Sequence, residues 1–243
     1  MKLVFIRHGD PDYEHDSLTP QGRIEAACLA ERISALDVKN FYVSPLGRAR
    51  ETAEYTLKKV NREAETFDWL REFGPRILRP DRKERAGVSW DWLPQDWLQF
   101  PEFLDRNQWM NHPVFQEAGV GKEYERVTRS LDELLAAHGY ERCGFYYRTA
   151  AANQDRLVFF CHFGVTCVLL SHLMNVSPMP LWHGLAMAPT SVTVVNTEER
   201  REGIVSFRAS MVGDISHLYQ AGIEPSFSAR FCECWKNEEE RHD

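Results

Sequence analysis

The sequence predicts an α/β fold in which helices pack in layers against a sheet. Short apolar runs, typical of buried strands, recur along the chain, and segments with apolar residues at helical spacing lie between them. Strands that alternate with helices in this way indicate a layered α/β architecture. With 243 residues, of which 43% are hydrophobic, the chain is long enough to bury one large core.

The part of the chain before the first tryptophan-rich stretch predicts three strands and two helices. Thr19 suits the N-cap of the first helix, because its side-chain oxygen can accept a backbone N–H, and Pro20 suits the first helical position. The predicted strands are Lys2 to Ile6, Phe41 to Ser44 and Glu65 to Leu70, and the second helix spans Arg48 to Lys59.

The segment 75–121 differs from the rest of the chain in composition. It holds four of the seven tryptophans, and its prolines interrupt any long regular element. We interpret it as a cap inserted into a single domain that spans residues 1–243. Its aromatic residues suit either a local core or a platform for substrate. Its basic residues suit either a solvated face or a site for a second anionic group, and they are Arg76, Arg79, Arg82, Lys83 and Arg85.

The chain after the cap returns to alternating helices and strands. The segment from Glu123 to His138 is amphipathic at helical spacing, and Arg156 to Cys161 is a strongly apolar strand. The other predicted elements are a helix from Val165 to Met174 and strands from Ser191 to Asn196 and from Ile204 to Arg208.

The composition argues against several classes of protein. No apolar run approaches the roughly 18–20 residues of a membrane span, and a net charge of −7 argues against nucleic acid as a partner. Six cysteines are too sparse for a disulfide scaffold, and the first ten residues reach charges too soon for a secretory leader. We therefore expect free thiols and a cytoplasmic location. The sequence leaves open whether the chain is a monomer or a homodimer.

Polar side chains follow four of the predicted strands. Arg7 and His8 come directly after the first strand, Arg48 just after the second, Glu72 after the third and His162 after the next. Ligands of open α/β sheets bind at the carboxyl ends of the strands, so these side chains are candidates for one site. Arginine binds phosphate oxygens, a neutral imidazole can attack phosphorus, and a carboxylic acid can protonate a leaving oxygen. The set therefore predicts phosphoryl transfer.

A metal site is not predicted. The pair Cys232 and Cys234 is spaced like two ligands, but no second Cys/His pair lies at a useful distance along the chain.

Seven short blocks follow one another along most of the chain. They are RHG after the first strand, then LTPQGRIEA, SPLGRARETA, LREF, CHFGV, PTSVT and VGDISHL. In this order they resemble the histidine phosphatase superfamily, the phosphoglycerate-mutase-like proteins. The resemblance implies a three-layer α/β/α sandwich with a mixed, mostly parallel sheet and a variable insertion before the second active-site histidine. It also implies that no metal or organic cofactor is needed.

The resemblance further implies a role for each candidate residue. His8 is the nucleophile that becomes phosphohistidine, and Arg7 and Arg48 bind the phosphoryl oxygens. His162 matches the second active-site histidine, and Glu72 matches the proton donor that later activates water. Because the position of this acid varies within the family, three other carboxylates stay open as candidates: Glu51, Glu14 and Asp68.

The predicted function is hydrolysis of a small phosphorylated metabolite by a histidine acid phosphatase-like enzyme. Two alternatives stay open: phosphoryl transfer of the phosphoglycerate mutase type, and a non-catalytic phospholigand-binding protein. The mutases that the chain resembles carry an Arg-rich block with Tyr-Gly after the acid, whereas this chain has Phe-Gly-Pro-Arg after Glu72. They also carry an Asn-rich run after RHG, where this chain has Asp-Pro-Asp-Tyr-Glu. The phosphatase is therefore the leading hypothesis.

Overall fold

Eight strands form the central sheet of the protein, and two small two-stranded sheets lie outside it. The structure is a computed structural model that describes residues 1–81, 84–228, 230–231 and 233–240. In these parts of the chain the strands are β1 (Lys2–Arg7), β2 (Pro11–Asp12), β3 (Ser17–Leu18), β4 (Asn40–Val43), β5 (Glu65–Thr66), β6 (Arg76–Ile77), β7 (Gly87–Val88), β8 (Glu141–Cys143), β9 (Tyr146–Arg148), β10 (Arg156–Cys161), β11 (Val192–Arg201) and β12 (Ile204–Asp214).

The helices between these strands fall into long and short groups. The long helices cover the two faces of the central sheet, and the short ones lie mostly in the cap and near the end of the chain. The helices are α1 (Pro20–Ser34), α2 (Gly47–Val60), α3 (Pro94–Trp97), α4 (Pro113–Glu117), α5 (Val120–Ala137), α6 (Phe163–Met174), α7 (Met179–Gly184) and α8 (Ser216–Gln220).

The central sheet has the strand order β5-β4-β10-β1-β11-β12-β9-β8. The four strands β5, β4, β10 and β1 are parallel neighbours, and each pairing from β1 through β11, β12 and β9 to β8 is antiparallel. Because two successive reversals restore the original direction, β12 and β8 run the same way as β1. Most strands therefore share one direction, and the predicted mixed, mostly parallel sheet is confirmed.

Each face of the sheet is covered by helices. Along β1 the side chains alternate: Leu3 and Phe5 join the apolar cluster that contains residues of α5 and α6, whereas Val4 and Ile6 join the cluster with residues of α1 and α2. All four side chains are buried, as expected for a central strand covered on both faces. The predicted three-layer α/β/α arrangement is confirmed.

The ends of most predicted elements lie within a few residues of the observed ones. Helix α1 begins at Pro20, and the Thr19 side chain accepts the Gly22 N–H at 3.0 Å, as a cap should. The prediction of a strand up to Leu70 was wrong, because β5 ends at Thr66 and a 3₁₀ turn follows. Trp69 and Leu70 are both buried in this turn, where they join the apolar cluster that contains residues of α5 and α6.

Several short elements of the chain were not predicted. They include the hairpins of β2 with β3 and of β8 with β9, of which the second extends the sheet at its far edge, and helices α7 and α8. They follow no clear apolar period, so their positions depend on packing against neighbouring elements rather than on local sequence.

The segment 75–121 consists of short helical turns and the hairpin of β6 and β7. Its large aromatic side chains share a core with the rest of the chain. Trp109 is fully buried, and its ring lies 5.9 Å from Trp182 and 5.0 Å from Tyr124, which belong to α7 and α5. Trp92 is also fully buried, 5.2 Å from Phe103 within the segment. Most of the cap aromatics therefore serve as core.

The predictions on membrane spans and on free thiols concern the whole chain. No helix in the described parts of the chain is long and apolar enough to cross a membrane. The five described cysteines are free thiols, and they are Cys28, Cys143, Cys161, Cys167 and Cys234.

Helix α1 passes very close to the loop after β1, and this contact requires glycine. A Cβ atom at Gly22 would lie 2.8 Å from the backbone N of Asp10 and still closer to its carbonyl oxygen. Alanine there gains helix propensity of about 1 kcal/mol, but a backbone clash of this kind costs more. We expect Gly22→Ala to lower the free energy of unfolding by about 1–3 kcal/mol in urea denaturation.

Gly121 is the matched control, because it also lies in the first turn of a helix. Its nearest atom would be the Cβ of Met110, at an ordinary 3.4 Å. We expect Gly121→Ala to leave stability unchanged or to raise it by up to about 1 kcal/mol. Equal effects of the two substitutions would contradict a close contact at Gly22.

Candidate active site

Three parallel strands end at one edge of the sheet and bring the predicted residues together. Strand β1 ends at Arg7 and β10 ends at Cys161, and these two residues are paired in register. His8 and His162 follow them directly, so their rings lie side by side with centroids 5.0 Å apart. Ser44 follows β4, the next strand along the sheet.

The hydrogen bond of His8 defines which ring nitrogen is free. Nδ1 lies 2.7 Å from the carbonyl oxygen of Gly9, and since a carbonyl only accepts, Nδ1 carries the proton. Nε2 therefore keeps its lone pair. Burial, and then the positive charges of Arg7 and Arg48, hold the pKa of His8 well below its usual value near 6.5. His8 is thus a neutral imidazole at neutral pH, with Nε2 available as a nucleophile.

His162 is fully buried beside His8. Its Nε2 lies 2.8 Å from the hydroxyl oxygen of Ser44, and its Nδ1 is buried without a hydrogen-bond partner among the described residues. Burial first, then the neighbouring His8 and Arg48, hold its pKa well below the usual range. His162 is therefore neutral, with one ring nitrogen left unpaired.

The two arginines are held in place by only part of their guanidinium groups. Arg7 is 5% exposed, and its Nη1 donates to the carbonyl oxygens of Met187 at 2.7 Å and Ser228 at 3.2 Å. Arg48 forms an ion pair with Asp16, with 2.6 Å between Nη1 and Oδ1. The Nε atoms of both arginines are buried and have no partner within the described ranges.

These groups suit an anion with several acceptor oxygens. Three unpaired buried nitrogens belong to the predicted residues Arg7, Arg48 and His162. A buried N–H without an acceptor costs about 1–3 kcal/mol, and this cost is recovered when an anion accepts from it. Phosphate matches best, because guanidinium groups bind its oxygens in a fixed geometry. The site can therefore bind a phosphoryl group next to Nε2 of His8.

Glu72 lies close to the residues that follow His162. Its Oε1 accepts the backbone N–H of Phe73 at 2.8 Å and that of Val165 at 3.0 Å. Burial raises the pKa of this carboxyl above its usual value, although these backbone hydrogen bonds and the charge of Arg7 oppose the rise. A carboxyl with a raised pKa keeps its proton to higher pH, which suits a proton donor.

The other candidate acids lie elsewhere. Glu51 is ion-paired with Arg23 at 2.7 Å, and Asp68 with Arg71 at 2.6 Å. Glu14 is exposed. Of the four carboxylates considered, Glu72 is the one whose oxygen contacts the segment after His162.

Sequence reasoning missed the residues that hold the loop after β1. Thr52 accepts the Gly9 N–H at 2.9 Å and donates to the Arg48 carbonyl at 2.7 Å, so it joins the nucleophile loop to helix α2. The ring of Tyr13 lies 5.4 Å from the guanidinium of Arg48. The position of Thr52, one helical turn after Arg48 and in the SPLGRARETA block, was the available signal.

A tryptophan of the cap was also missed as part of the site. The indole N–H of Trp90 donates to the Phe73 carbonyl at 2.9 Å, and its ring meets Phe163 edge-on at 5.8 Å. Trp90 therefore packs against both the residue after Glu72 and the residue after His162. Nothing in its sequence surroundings distinguishes it from the other cap tryptophans.

Arg76 and Arg79 of the cap have different partners and do not form one anion-binding group. Arg79 is 4% exposed and ion-paired with Asp81 at 2.5 Å and Asp91 at 2.7 Å, so neither of its predicted roles, a solvated face or an anion site, holds. Its guanidinium binds together the turns of the cap instead. Arg76 is exposed and bonded to a backbone carbonyl. Arg82 and Lys83 lie outside the described residues.

Metal ligands are not grouped in the described parts of the chain, where no set of three or more His, Cys, Asp or Glu side chains could hold an ion. Cys232, one of the two closely spaced cysteines, lies outside the described residues.

Comparison with known proteins assigns the family. The sequence matches the model of the histidine phosphatase superfamily (branch 1) over residues 3–210. The chain belongs to this superfamily. A relative from the same comparisons is a probable phosphatase of Schizosaccharomyces pombe, 25% identical over 233 residues that cover 90% of this chain and 95% of the relative.

A second superfamily relative is the mitochondrial serine/threonine-protein phosphatase Pgam5 of Caenorhabditis elegans. It is 26% identical over 89% of this chain, which spans 63% of the length of that relative. A 2,3-bisphosphoglycerate-dependent phosphoglycerate mutase of Thermoplasma acidophilum is 33% identical over 85 residues, 30% of this chain and 42% of the mutase.

Solved structures confirm the superfamily fold. A phosphoserine phosphatase of Entamoeba histolytica superposes with a TM-score of 0.60 at 19% identity, over 89% of this chain and 98% of that structure. A mycobacterial glucosyl-3-phosphoglycerate phosphatase gives a TM-score of 0.57 at 18% identity, over 87% and 98% of the two chains. At these identities the likeness concerns the fold.

Gly164 sets the distance between the cap and the active site. A Cβ atom there would lie 2.7 Å from Cδ1 of Trp90 and 2.8 Å from Oε1 of Glu72. We expect Gly164→Ala to displace the Glu72 carboxyl and to lower kcat on an alkyl phosphate by roughly 10–100-fold, because a misplacement of about 1 Å can have an effect of that size. Steady-state kinetics and a melting curve measure the two effects separately.

Gly184 provides the control for this substitution, because nothing lies within 4 Å of a Cβ atom at that position. Gly184→Ala should retain the wild-type kcat. A Gly164→Ala enzyme with unchanged kcat would contradict the tight packing of Glu72 and Trp90 at this glycine.

Proposed function

We propose that this protein hydrolyses a small phosphomonoester through a phosphohistidine formed on His8. The observation that supports the proposal most directly is the geometry at His8, where Nδ1 is fixed by a carbonyl and Nε2 is free. The ring of His162 lies 5.0 Å from that of His8, and the positive charges of Arg7 and Arg48 act on His8. The names of the relatives, several of which are phosphatases, agree with it.

The first half of the reaction transfers the phosphoryl group to the enzyme. Nε2 of His8 attacks phosphorus, and the bond from phosphorus to the leaving oxygen breaks. Arg7, Arg48 and His162 donate hydrogen bonds to the phosphoryl oxygens and stabilise their charge. Glu72, whose pKa is raised by burial, gives its proton to the leaving oxygen. The products are the free alcohol and phosphohistidine.

The second half returns the enzyme to its starting state. Glu72, now a carboxylate, takes a proton from water as the water oxygen attacks phosphorus. The bond between phosphorus and Nε2 breaks, and its electron pair returns to the ring of His8. Inorganic phosphate leaves, and Glu72 is again protonated.

The cap, residues 75–121, selects the substrate in this proposal. Trp90 supports it, because this side chain reaches the segments on either side of the active site from within the cap. Proteins of the comparisons are named for phosphoserine and for glucosyl-3-phosphoglycerate, which are both small phosphorylated metabolites. A small phosphomonoester is the class that agrees with these neighbours.

Phosphoglycerate-mutase-type transfer is the second candidate. The short match to a mutase at 33% identity favours it, while the Phe-Gly-Pro-Arg block after Glu72 does not. The two functions differ in the acceptor of the phosphoryl group, water or a second hydroxyl. Release of inorganic phosphate without an added acceptor supports the phosphatase, and a chain that binds phosphate but releases none would be a non-catalytic binding protein.

A reducing, cytoplasmic location stays our prediction. The two fully buried cysteines, Cys161 and Cys167, support it because both are thiols inside the core, and burial raises the pKa of each. Neither has a partner sulfur among the described residues.

Substitution of the nucleophile tests the proposal. His8→Ala should lower kcat/KM for p-nitrophenyl phosphate by roughly 10⁴-fold or more, because the covalent route is lost. Rapid-quench labelling of the wild type should trap an acid-labile, base-stable phosphoenzyme that His8→Ala lacks. His15→Ala, at an exposed histidine, is the matched control and should behave as wild type. Label that persists in His8→Ala would refute the assignment.

Substitution of Glu72 tests the proton donor. An alkoxide leaves poorly without a proton, whereas a nitrophenolate leaves well. Glu72→Gln should therefore slow single-turnover phosphorylation by an alkyl phosphate roughly 10²–10⁴-fold, and by p-nitrophenyl phosphate much less. Glu51→Gln is the matched control at an ion-paired carboxylate and should leave the ratio unchanged. If the ratio moves with Glu51 and not with Glu72, the acid is misassigned.

The pH dependence of the wild type and of Glu72→Gln tests the acid-phosphatase-like subtype that we propose. Neutral His8 persists below pH 6.5 because its pKa is lowered, and protonated Glu72 persists above pH 4.5 because its pKa is raised. Activity on an alkyl phosphate should thus fall on the acid side as His8 gains a proton, and on the alkaline side as Glu72 loses one. Glu72→Gln should remove the enzyme's alkaline limb, while ionisation of the substrate affects both enzymes equally.

A further inference from the structure

Ser44 contacts His162 at the centre of the active site. It follows strand β4 directly and is fully buried. Its hydroxyl oxygen lies 2.8 Å from Nε2 of His162 and 3.3 Å from the backbone nitrogen of Leu46. The proposed reaction gives Ser44 no step of its own.

The direction of the two hydrogen bonds follows from what each group can do. The Leu46 N–H only donates, so the Ser44 oxygen accepts from it. The hydroxyl hydrogen then needs an acceptor, and Nε2 of His162 is the one recorded within hydrogen-bond distance among the described residues. If His162 donated instead, this buried hydroxyl hydrogen would have no acceptor. In the other tautomer the unpaired hydrogen is that of Nδ1, and an anion bound at the site can accept it.

We propose that Ser44 is a positioning residue that holds His162 in the tautomer with its proton on Nδ1. In the chain of hydrogen bonds, the Leu46 N–H donates to the Ser44 oxygen, and the Ser44 hydroxyl donates to Nε2 of His162. The proton of the neutral ring is then on Nδ1, the buried nitrogen that has no partner within the described residues. The catalytic meaning of this arrangement rests on the proposed function.

The tautomer decides whether His162 attracts or repels a phosphoryl oxygen. With the proton on Nδ1, this nitrogen is a donor and adds to the donors of Arg7 and Arg48. With the proton on Nε2, Nδ1 would present a lone pair to an anion. A neutral histidine can therefore stabilise the developing charge only with its proton on Nδ1, and Ser44 favours that tautomer by donating to Nε2.

Kinetics of Ser44→Ala test the positioning role. Loss of the hydroxyl should lower the single-turnover rate of phosphorylation by roughly 10–100-fold, by analogy with the range found when an outer partner that orients a metal-bound histidine is removed. KM should change much less, because the arginines that bind the phosphoryl group stay in place. Ser44→Thr keeps a hydroxyl and should recover most of the rate, provided that its melting temperature shows a folded protein.

Ser171→Ala is the matched control. Ser171 is also fully buried, its hydroxyl lies 2.8 Å from the Val168 carbonyl and 3.1 Å from the Tyr124 hydroxyl, and it lies on helix α6 away from His162. Its loss removes a buried hydroxyl without touching the reacting groups. If Ser44→Ala and Ser171→Ala have equal phosphorylation rates, Ser44 does not position His162.

The tautomer itself can be observed without any turnover. Long-range ¹H–¹⁵N correlation spectra of histidine-labelled protein distinguish a protonated ring nitrogen from an unprotonated one. Wild type should show His162 protonated on Nδ1, and Ser44→Ala should show a mixture of tautomers. A wild-type spectrum with the proton on Nε2 overturns the inference even if the enzyme is an active phosphatase. Conversely, the Nδ1 tautomer in an inactive protein would contradict the proposed function alone.

Discussion

The burial of positive charge beside His8 is the constraint on which the rest of the site depends. Arg7 is almost completely buried in a protein whose net charge is −7, and desolvation of a cation is unfavourable unless polar groups replace water. Carbonyls from two distant segments, at Met187 and Ser228, supply part of that replacement. Burial first, and then this positive charge, lowers the pKa of His8 and of His162, so the cations that bind an anion also help to keep the nucleophile unprotonated.

The elements around this charge act as one unit. The carboxylate of Asp10, next to the RHG turn, accepts hydroxyl hydrogens from Thr19 at 2.6 Å, Ser226 at 2.7 Å and Ser228 at 2.8 Å. It thereby joins the N-terminus of helix α1, the nucleophile loop and a segment near the end of the chain. The buried carboxylate of Glu25 accepts the backbone N–H groups of Asp10 and Ser226, at 2.9 Å each, and so also joins the nucleophile loop to the segment near the end of the chain. Asp10 is also the residue that a Cβ atom at Gly22 would meet, so glycine is needed where α1 passes the loop.

Much of the fold and most of the site could be predicted from local pattern. Strand β1 has the apolar run of a buried strand, and helix α1 has the start signals of a helix. Both ends of β1 and the start of α1 were therefore placed within a residue. The site residues Arg7, His8 and His162 stand directly after apolar strands, and parallel strands bring such positions to one edge of a sheet. Arg79 shows the limit of this reasoning, because its sequence neighbours give no sign that Asp91 would bury and pair it.

By itself, then, the sequence determined which residue types meet at the sheet edge, because strand ends and their order are encoded locally. The tertiary structure alone decided their chemical states. The free Nε2 of His8, the raised pKa of Glu72 and the contact of Ser44 with His162 all depend on distances between segments far apart in the chain. Desolvation and hydrogen bonding act only once packing has excluded water and chosen the partners, and no local pattern contains that information.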